Sequence, residues 1–252
     1  MNETIQTQLN HRSIRKFQKQ ELTKEEVELL VEVAQQAPTS NFRQSYSILR
    51  ITDPELKQEL AKIGQQEYIA SAPHLFVFLV DQARNTKLAK EQGAPALVQG
   101  SPERFLAAFS DALIAAQNMV VAAESMGLGT VYLGSILNDP KRLCQLLALP
   151  DYVYPAVGLA LGWPDQDPEK KPRLPKEIVH MENVYQELEN PVAALKEYDQ
   201  AIEEYYDLRS SNNRLEAFTT KISKEMATSP AKRAETLAAL QEQGFFVDPR
   251  PE

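Results

Sequence analysis

The sequence predicts an α+β or three-layer mixed fold, because helical patterns dominate it and the strand patterns are few and separated. The run His74–Asp81 is almost wholly apolar and predicts a strand that is covered on both faces. The run Ala156–Leu161 predicts a second apolar strand. Between them, Ser101–Met126 has the pattern of a long helix that is buried over most of its circumference.

Four elements are predicted in the first third of the chain. Thr23 and Glu26 form a capping box before an apolar stretch, which indicates a helix start. Asp53 and Pro54 open a second helix, which Gly64 ends. In chain order, the predictions are a helix over 24–37, a strand over 45–52, a helix over 54–63 and a strand over 74–81.

The same signals predict the later elements. Ser101, Pro102 and Glu103 combine an N-cap residue, a proline in the first turn and an acid at the positive end of the helix dipole. Gly127 ends that helix. There follow a loop and short strand over 127–135, a helix over 140–147, a strand over 156–161, a loop over 165–175 and three charged helices over 192–240.

Composition excludes several classes of function. The 252 residues carry 27 Lys and Arg against 35 Asp and Glu, a formal net charge of -8, whereas sequence-independent nucleic-acid binding needs a basic field. Cys144 stands alone, so no intramolecular disulfide and no thiolate metal cage can form, and we expect it to serve packing. His11, His74 and His180 are too dispersed to suggest a metal site, and a structural role is expected for the last two.

The apolar stretch Phe105–Ala123 is long enough to suggest a membrane span. It contains Asp111, Gln117 and Asn118, which are costly in hydrocarbon, and therefore reads as a core helix. The first residues lack the basic and apolar regions of a secretion signal, so we expect a cytoplasmic protein without membrane or nucleic-acid partners.

Familiar catalytic motifs find no support in the sequence. Gly127 and Gly129 resemble the start of a dinucleotide fingerprint, but Tyr132 occupies the third glycine position and the motif follows a helix instead of a strand. No P-loop, HExxH or GxSxG sequence occurs.

Three short basic and polar clusters stand out in this acidic chain. They cover residues 11–15, 170–173 and 209–214. The first combines two guanidinium groups, an imidazole and a hydroxyl, a donor set that suits a phosphate. Solvated surface charge is the alternative explanation for each cluster, and composition alone does not decide between them.

Ordered motifs along nearly the whole chain resemble the FMN-dependent nitroreductase family, in particular its NADPH-preferring, oxygen-insensitive nitroreductases and flavin reductases. The motifs are HRSIRKF at 11–17, APTSNFRQ at 37–44, GQQ at 64–66, AAESMGLGTVYLGS at 122–135, LGWP at 161–164 and KPRLP at 171–175. The resemblance implies a three-layer α+β fold with a mixed, mainly antiparallel central sheet flanked by helices. It also implies an FMN-binding core over 1–190, an NADPH-contacting helical extension over 191–252 in the same domain unit, and a homodimer with two FMN sites at its interface.

The same resemblance implies the site residues. Residues matching the family's non-covalent FMN site are His11, Arg12, Ser13, Arg15, Ser40, Asn41, Gln66, Tyr132, Leu133, Gly134, Ser135, Lys171 and Arg173. Arg209 and Arg214 match the positions that grip the 2′-phosphate of NADPH. No metal and no catalytic side chain is implied, because N5 of the flavin carries the chemistry.

The implied activity is a ping-pong, two-electron hydride transfer from NADPH through FMN to small oxidants such as nitroaromatics, quinones or free flavin. One alternative is an NADPH:FMN reductase or oxidase whose main role is to supply reduced flavin. A flavin-destroying or dehalogenating member of the same fold is a further alternative, against which the C-terminal extension argues. A non-enzymatic scaffold that binds a phosphorylated ligand through residues 11–15 is the third.

Overall fold

A computed structural model describes residues 1–207 and 216–247. Its helices and strands are α1 (Glu3–Leu9), α2 (Lys24–Gln35), β1 (Tyr46–Ile51), α3 (Pro54–Gly64), α4 (Tyr68–Ser71), β2 (His74–Asp81), α5 (Ala83–Glu91), α6 (Pro102–Ser125), β3 (Gly129–Leu133), α7 (Pro140–Leu146), β4 (Val153–Gly162), α8 (Lys176–Val179), α9 (Pro191–Ala194), α10 (Lys196–Asp207), α11 (Phe218–Ala227) and α12 (Thr236–Glu242). Short 3₁₀ turns cover Ser40–Phe42, Gly134–Asn138 and Arg233–Glu235.

The four strands form one sheet in the order β1-β2-β4-β3, and every neighbouring pair is antiparallel. The predicted α+β class is confirmed. The predicted sheet was mixed, but its four strands pair antiparallel, and in the described residues the parallel pairing is an isolated bridge between Ser13 and Thr130 of β3. Every residue of β2 is buried, which agrees with the expectation from its unbroken apolar sequence. The sheet therefore has one hydrophobic layer on each face.

Strand β4 begins three residues earlier than the apolar run predicted, and it contains Pro155. Proline cannot donate a ladder hydrogen bond, so it belongs on an unpaired side of a strand. Strand β3 pairs only with Gly158–Gly162, which leaves Pro155 without a neighbour on that side. Pro155 is therefore compatible with the early start of β4, which the apolar run over 156–161 did not predict.

Helix α6 is the core helix that the sequence predicts. It is long and apolar enough to cross a membrane, with a mean hydropathy of 1.5 over 18 residues, but it packs against α2 and β2 with a continuous row of buried residues. Asp111 lies within that buried face. Helix α6 is therefore a partly buried core helix.

Helix α5 was not predicted. Ala83–Glu91 has no buried residue, and the Gln82 side chain at its N-cap does not cap the helix but donates to the Arg104 carbonyl at 3.0 Å. The two signals on which sequence analysis depends, an apolar stripe and a cap, are therefore both missing.

The chain divides into two compact units. Unit 1 comprises Met1–Pro168 and Pro230–Glu252, and unit 2 comprises Glu169–Ser229, so the predicted boundary after residue 190 falls inside unit 2. The returning C-terminal segment is anchored within unit 1. Phe245 is fully buried, and the Gln243 side-chain amide donates to the carbonyls of Pro150 at 2.9 Å and Val153 at 2.8 Å.

Unit 2 has a small core of its own. Leu195, Tyr198 and Ile202 are buried on α9–α10 and pack with Phe218 of α11. Asp199 joins α10 to α11 through the backbone N–H of Thr219 at 3.0 Å and its hydroxyl at 2.5 Å. The helical extension that the sequence predicts over 192–240 thus has an internal hydrogen-bonded contact.

His74 is a buried histidine at the start of β2 with a structural role. Its Nε2 accepts a hydrogen bond from the backbone N–H of Leu22 at 3.0 Å. Burial lowers the pKa of His74, and the nearby cations Arg50 and Lys57 lower it further, while Glu21 opposes them together with Glu26. The neutral ring is the form that can accept from Leu22.

This environment predicts an acid-sensitive fold. Below about pH 6.5 the unfolded chain binds a proton at His74 that the folded chain does not bind. The free energy of unfolding should therefore decrease by up to about 1.4 kcal/mol for each unit by which the pH is lowered. The loss should level off below the lowered pKa of the folded state. Urea titrations across this range should show a flatter profile for His74→Gln and an unchanged profile for the exposed control His180→Gln. An unaltered slope in His74→Gln would contradict the assignment.

Candidate functional site

Residues 11–15 lie along the outer edge of β3. Ser13 forms a parallel bridge with Thr130, and the N–H of Ile14 donates to the Thr130 carbonyl at 2.8 Å. A Cβ at Gly129 would lie 2.5 Å from Ile14 Cγ1, so glycine is required where the two segments approach. The predicted basic cluster is thereby fixed to the edge strand.

His11 makes a close contact with helix α6. Its Nδ1 lies 2.6 Å from Glu124 Oε1, and the hydroxyl of the fully buried Thr130 donates to the same oxygen at 2.6 Å. Residue spacing could not predict this cluster, because His11 and Glu124 are remote in sequence.

The Arg12 side chain points to the opposite side of the extended segment from that of Ser13. Arg12 and Ile14 line a cavity of about 1160 Å³ between α1 and the C-terminal half of α6, as expected for alternate residues of an extended segment. Arg12 Nη1 pairs with Asp167, and its buried Nε has no hydrogen-bond partner in the described part of the chain. None of the other predicted flavin residues lines this cavity.

Arg15 is exposed, on the same side of the extended segment as Ser13. Its backbone N–H donates to Gln166 Oε1 at 3.1 Å, which holds the segment without using the guanidinium. Across residues 1–207 and 216–247, that guanidinium has no ion-pair partner.

Gln66 and Ser135 meet at the other end of β3. Gln66 Oε1 accepts hydrogen bonds from the hydroxyls of Ser135 at 2.7 Å and Tyr68 at 2.8 Å. This leaves the two hydrogens of the Gln66 side-chain amide to donate elsewhere. Around Gly134 the space is open: apart from its chain neighbours, no atom of the described residues lies within 4 Å of the position that a Cβ would take. The structure therefore brings together three of the residues predicted to contact the flavin ring.

Tyr132 and Leu133 belong to the strand itself. Leu133 is buried in the core, whereas the half-buried Tyr132 donates its hydroxyl hydrogen to Gln117 Oε1 on α6 at 3.1 Å. Burial, followed by the charge of Glu124, raises the pKa of the Tyr132 phenol, so its hydroxyl stays protonated.

Ser40 and Asn41 lie in a strained turn. Asn41, Phe42 and Gln44 have φ values of 51°, 57° and 51°, in the left-handed region that non-glycine residues seldom adopt. The N–H of Ser40 donates at 2.8 Å to Oδ1 of Asp111, whose Oδ2 is buried and has no hydrogen-bond partner among the described residues. Asp111 thus anchors the turn to α6, a role that sequence analysis did not assign.

Lys171 and Arg173 line a separate cavity of about 390 Å³ within unit 2, beside Tyr198, Tyr206 and Phe218. Lys171 Nζ lies 5.5 Å from the centre of the Tyr206 ring, a cation–π contact. Their contact with a flavin remains a prediction. Arg209 and Arg214 lie outside the described residues.

The other residues with reactive side chains include the single cysteine and the candidate metal ligands. No group of three or more His, Cys, Asp or Glu that could hold a metal occurs within the described ranges. Cys144 is buried, and burial raises the pKa of its thiol to about 12, which suits the expected packing role.

Comparisons with known proteins decide the family. Residues 9–163 match the model of the nitroreductase family, and residues 171–248 match that of the family's C-terminal domain. The chain belongs to the nitroreductase family. A curated nitroreductase relative, the FMN reductase (NADPH) of Bacillus subtilis, is 44% identical over 234 residues, covering 91% of this chain and 94% of the relative.

Solved nitroreductase structures agree with this fold. The NfrA1 nitroreductase of B. subtilis superposes with a TM-score of 0.89 at 42% identity, covering 96% of this chain and 99% of that one. The NADPH:FMN oxidoreductase of Vibrio harveyi, solved with NAD+, has a TM-score of 0.86 at 36% identity and covers 97% and 99%. The predicted family, fold class and oxidoreductase class are confirmed, whereas the individual site residues remain predictions.

Proposed function

We propose that this nitroreductase-family protein is an NADPH-dependent oxidoreductase that binds FMN without a covalent bond along β3. The observation that carries the proposal is the pairing of Gln66 with Ser135 beside the open space at Gly134, at one end of the strand whose other end holds Ser13. Thr130 and Gly134 are four residues apart, about 13 Å in an extended strand, which suits a ligand with a ring at one end and a phosphate at the other.

The donor set fits the two ends of FMN. The predicted phosphate and ring-edge donors are His11, Arg12, Ser13 and Arg15. A guanidinium forms strong charge-assisted bonds with phosphate. Ser13 and Arg15 lie on the same side of the extended segment. The side-chain amide of Gln66 would donate to the polar edge of the ring, where it would stabilise negative charge. Glycine at position 134 lets a flat ring approach the backbone.

When bound, FMN would supply the redox chemistry by accepting hydride from NADPH and passing two electrons to a small oxidant. The chain's own contribution is to orient the ring through Gln66 and Ser135 and to hold the phosphate. The B. subtilis relative is named an FMN reductase, which favours free flavin as one acceptor; nitroaromatics and quinones are the other acceptors we propose.

We also propose a homodimer through helix α6. Its outward face exposes Leu106, Leu113 and Ile114, with Leu106 60% accessible, although the opposite face is buried in the core. A second copy of this face would remove that apolar surface from water. The resemblance implies the same interface.

Leu106→Glu should weaken the dimer, because it places a charge within the proposed apolar contact. Sedimentation should show a dimer for the unmodified protein and at least a tenfold higher dissociation constant for the variant, about 1.4 kcal/mol. Leu237→Glu, at a similarly exposed leucine outside α6, is the control. An unmodified protein that is monomeric at micromolar concentration, yet yellow and active, would contradict the proposal.

The FMN site is tested by Arg15→Ala with Lys16→Ala as the matched control, because the two exposed cations are neighbours on opposite sides of one extended segment. Loss of a charge-assisted bond should weaken FMN binding by about 1.5–3 kcal/mol, one to two decades of affinity. Absorbance titration of the apoprotein measures this. A protein that binds FAD but not FMN, or that stays colourless after FMN addition, would end the flavoprotein proposal in favour of a scaffold.

NADPH selectivity is tested at Arg209. Arg209→Ala should raise the Michaelis constant for NADPH tenfold or more, about 1.4 kcal/mol, and leave NADH use nearly unchanged, because NADH lacks the 2′-phosphate. Arg233→Ala, an exposed arginine in the C-terminal 3₁₀ turn, is the control. Equal losses with both nucleotides would show that Arg209 supports the fold or the flavin instead.

A further inference from the structure

Side chains from three separate parts of unit 1 converge on one carboxylate oxygen. His11 comes from the N-terminal segment, Glu124 from the last turn of α6 and Thr130 from β3. His11 Nδ1 and Thr130 Oγ1 each lie 2.6 Å from Glu124 Oε1. The Glu124 side chain is 12% exposed, so this oxygen is largely shielded from water.

The hydrogen positions in this cluster follow from its chemistry. An ionised carboxylate only accepts hydrogen bonds, so both neighbours of Glu124 Oε1 must donate to it. The Thr130 hydroxyl supplies one hydrogen, and Nδ1 of His11 must therefore carry the other. In the neutral imidazole this places the lone pair on Nε2, the nitrogen that faces away from Glu124.

Thr130 links this cluster to the rest of segment 11–15. Its hydroxyl holds Glu124, while its carbonyl accepts from the N–H of Ile14 at 2.8 Å and its backbone pairs with Ser13. Thr130 is fully buried and therefore has a single environment. Thr130 consequently sets the orientation of the His11 ring through Glu124, and it also sets the backbone position of Ser13.

We propose that Glu124, held in place by Thr130, is a positioning residue that keeps the Nδ1–H of His11 on its carboxylate and leaves Nε2 as the ring nitrogen available to the ligand of segment 11–15. A proton on Nε2 then makes it a donor to a phosphate, and the carboxylate beside Nδ1 balances the resulting charge. The identification of that ligand as FMN rests on the proposed function. A fixed ring loses less conformational freedom when a ligand binds, so the cluster contributes to affinity without touching the ligand itself.

The tautomer is measured directly by ¹⁵N NMR of the histidine rings in alkaline buffer, where imidazoles are neutral. The signals of His11 are identified by their loss in His11→Gln. We expect a protonated Nδ1 and an unprotonated Nε2 in the unmodified protein, and a shift toward Nε2–H in Glu124→Gln, because an amide can donate as well as accept. The exposed His180 is the internal control and should not respond to the substitution.

The effect on the ligand is measured with a matched pair at Thr130. Thr130→Ser keeps the hydroxyl and should retain FMN affinity, whereas Thr130→Val has a similar volume without the hydroxyl. Thr130→Val and Glu124→Gln should each raise the dissociation constant for FMN by about tenfold, the scale of one hydrogen bond.

The outcomes separate this proposal from the proposed function. An Nε2–H tautomer in the unmodified protein, or a His11 spectrum unchanged by Glu124→Gln, would overturn the positioning role whatever the ligand. A changed tautomer with unchanged FMN affinity would overturn its link to the ligand. Failure of the unmodified protein to bind FMN would defeat the proposed function, while the tautomer would still be read from the spectra.

Discussion

The outer edge of β3 is the constraint on which the rest of the site depends. An edge strand presents unpaired N–H and carbonyl groups that must find partners. Here the segment through Ser13 and Ile14 supplies them, and it can approach because position 129 has no side chain. The phosphate donors predicted from sequence are thus placed by the hydrogen bonds of the sheet, and the open position at Gly134 follows from where the strand ends.

Helix α6 supplies the complementary support from the core. Polar residues interrupt its apolar sequence, and three of them reach different segments of the candidate site. Asp111 holds the turn at Ser40, Gln117 accepts from Tyr132, and Glu124 contacts His11. Asp111 and Gln117, two of the residues that make this helix unsuitable for a membrane, therefore also connect the core to the predicted site.

Most of the fold could be predicted from the sequence because its strongest signals are local. The capping box at Thr23, the start at Ser101 and the apolar run of β2 all correspond to observed elements. Helix α5 could not be predicted, since it has neither a cap nor a buried face. The early start of β4 could not be predicted because it includes Pro155. Whether a strand can contain a proline depends on which neighbouring strand pairs at that position.

Residues of the candidate site could be predicted only where they are neighbours in sequence or match the family motifs. Segment 11–15 and the turn at Gly134 belong to that group. Glu124 and Asp111 do not, because their roles arise from contacts across long stretches of chain. The pairing of Arg12 with Asp167 was not predicted either, because it joins distant parts of the chain. The contact of Arg12 with the flavin stays a prediction.

The return of the chain to unit 1 after residue 229 has a mechanical consequence. Both ends of unit 2 continue into unit 1, and the returning end is held by Phe245 and Gln243. A single proteolytic cut within unit 2 would therefore yield two fragments that each retain a part embedded in unit 1. Such a nicked protein would migrate as one particle under native conditions, and its fragments would separate only on denaturation. The helical extension is thus attached to unit 1 at both of its ends, whereas an extension at a chain terminus would be attached at one.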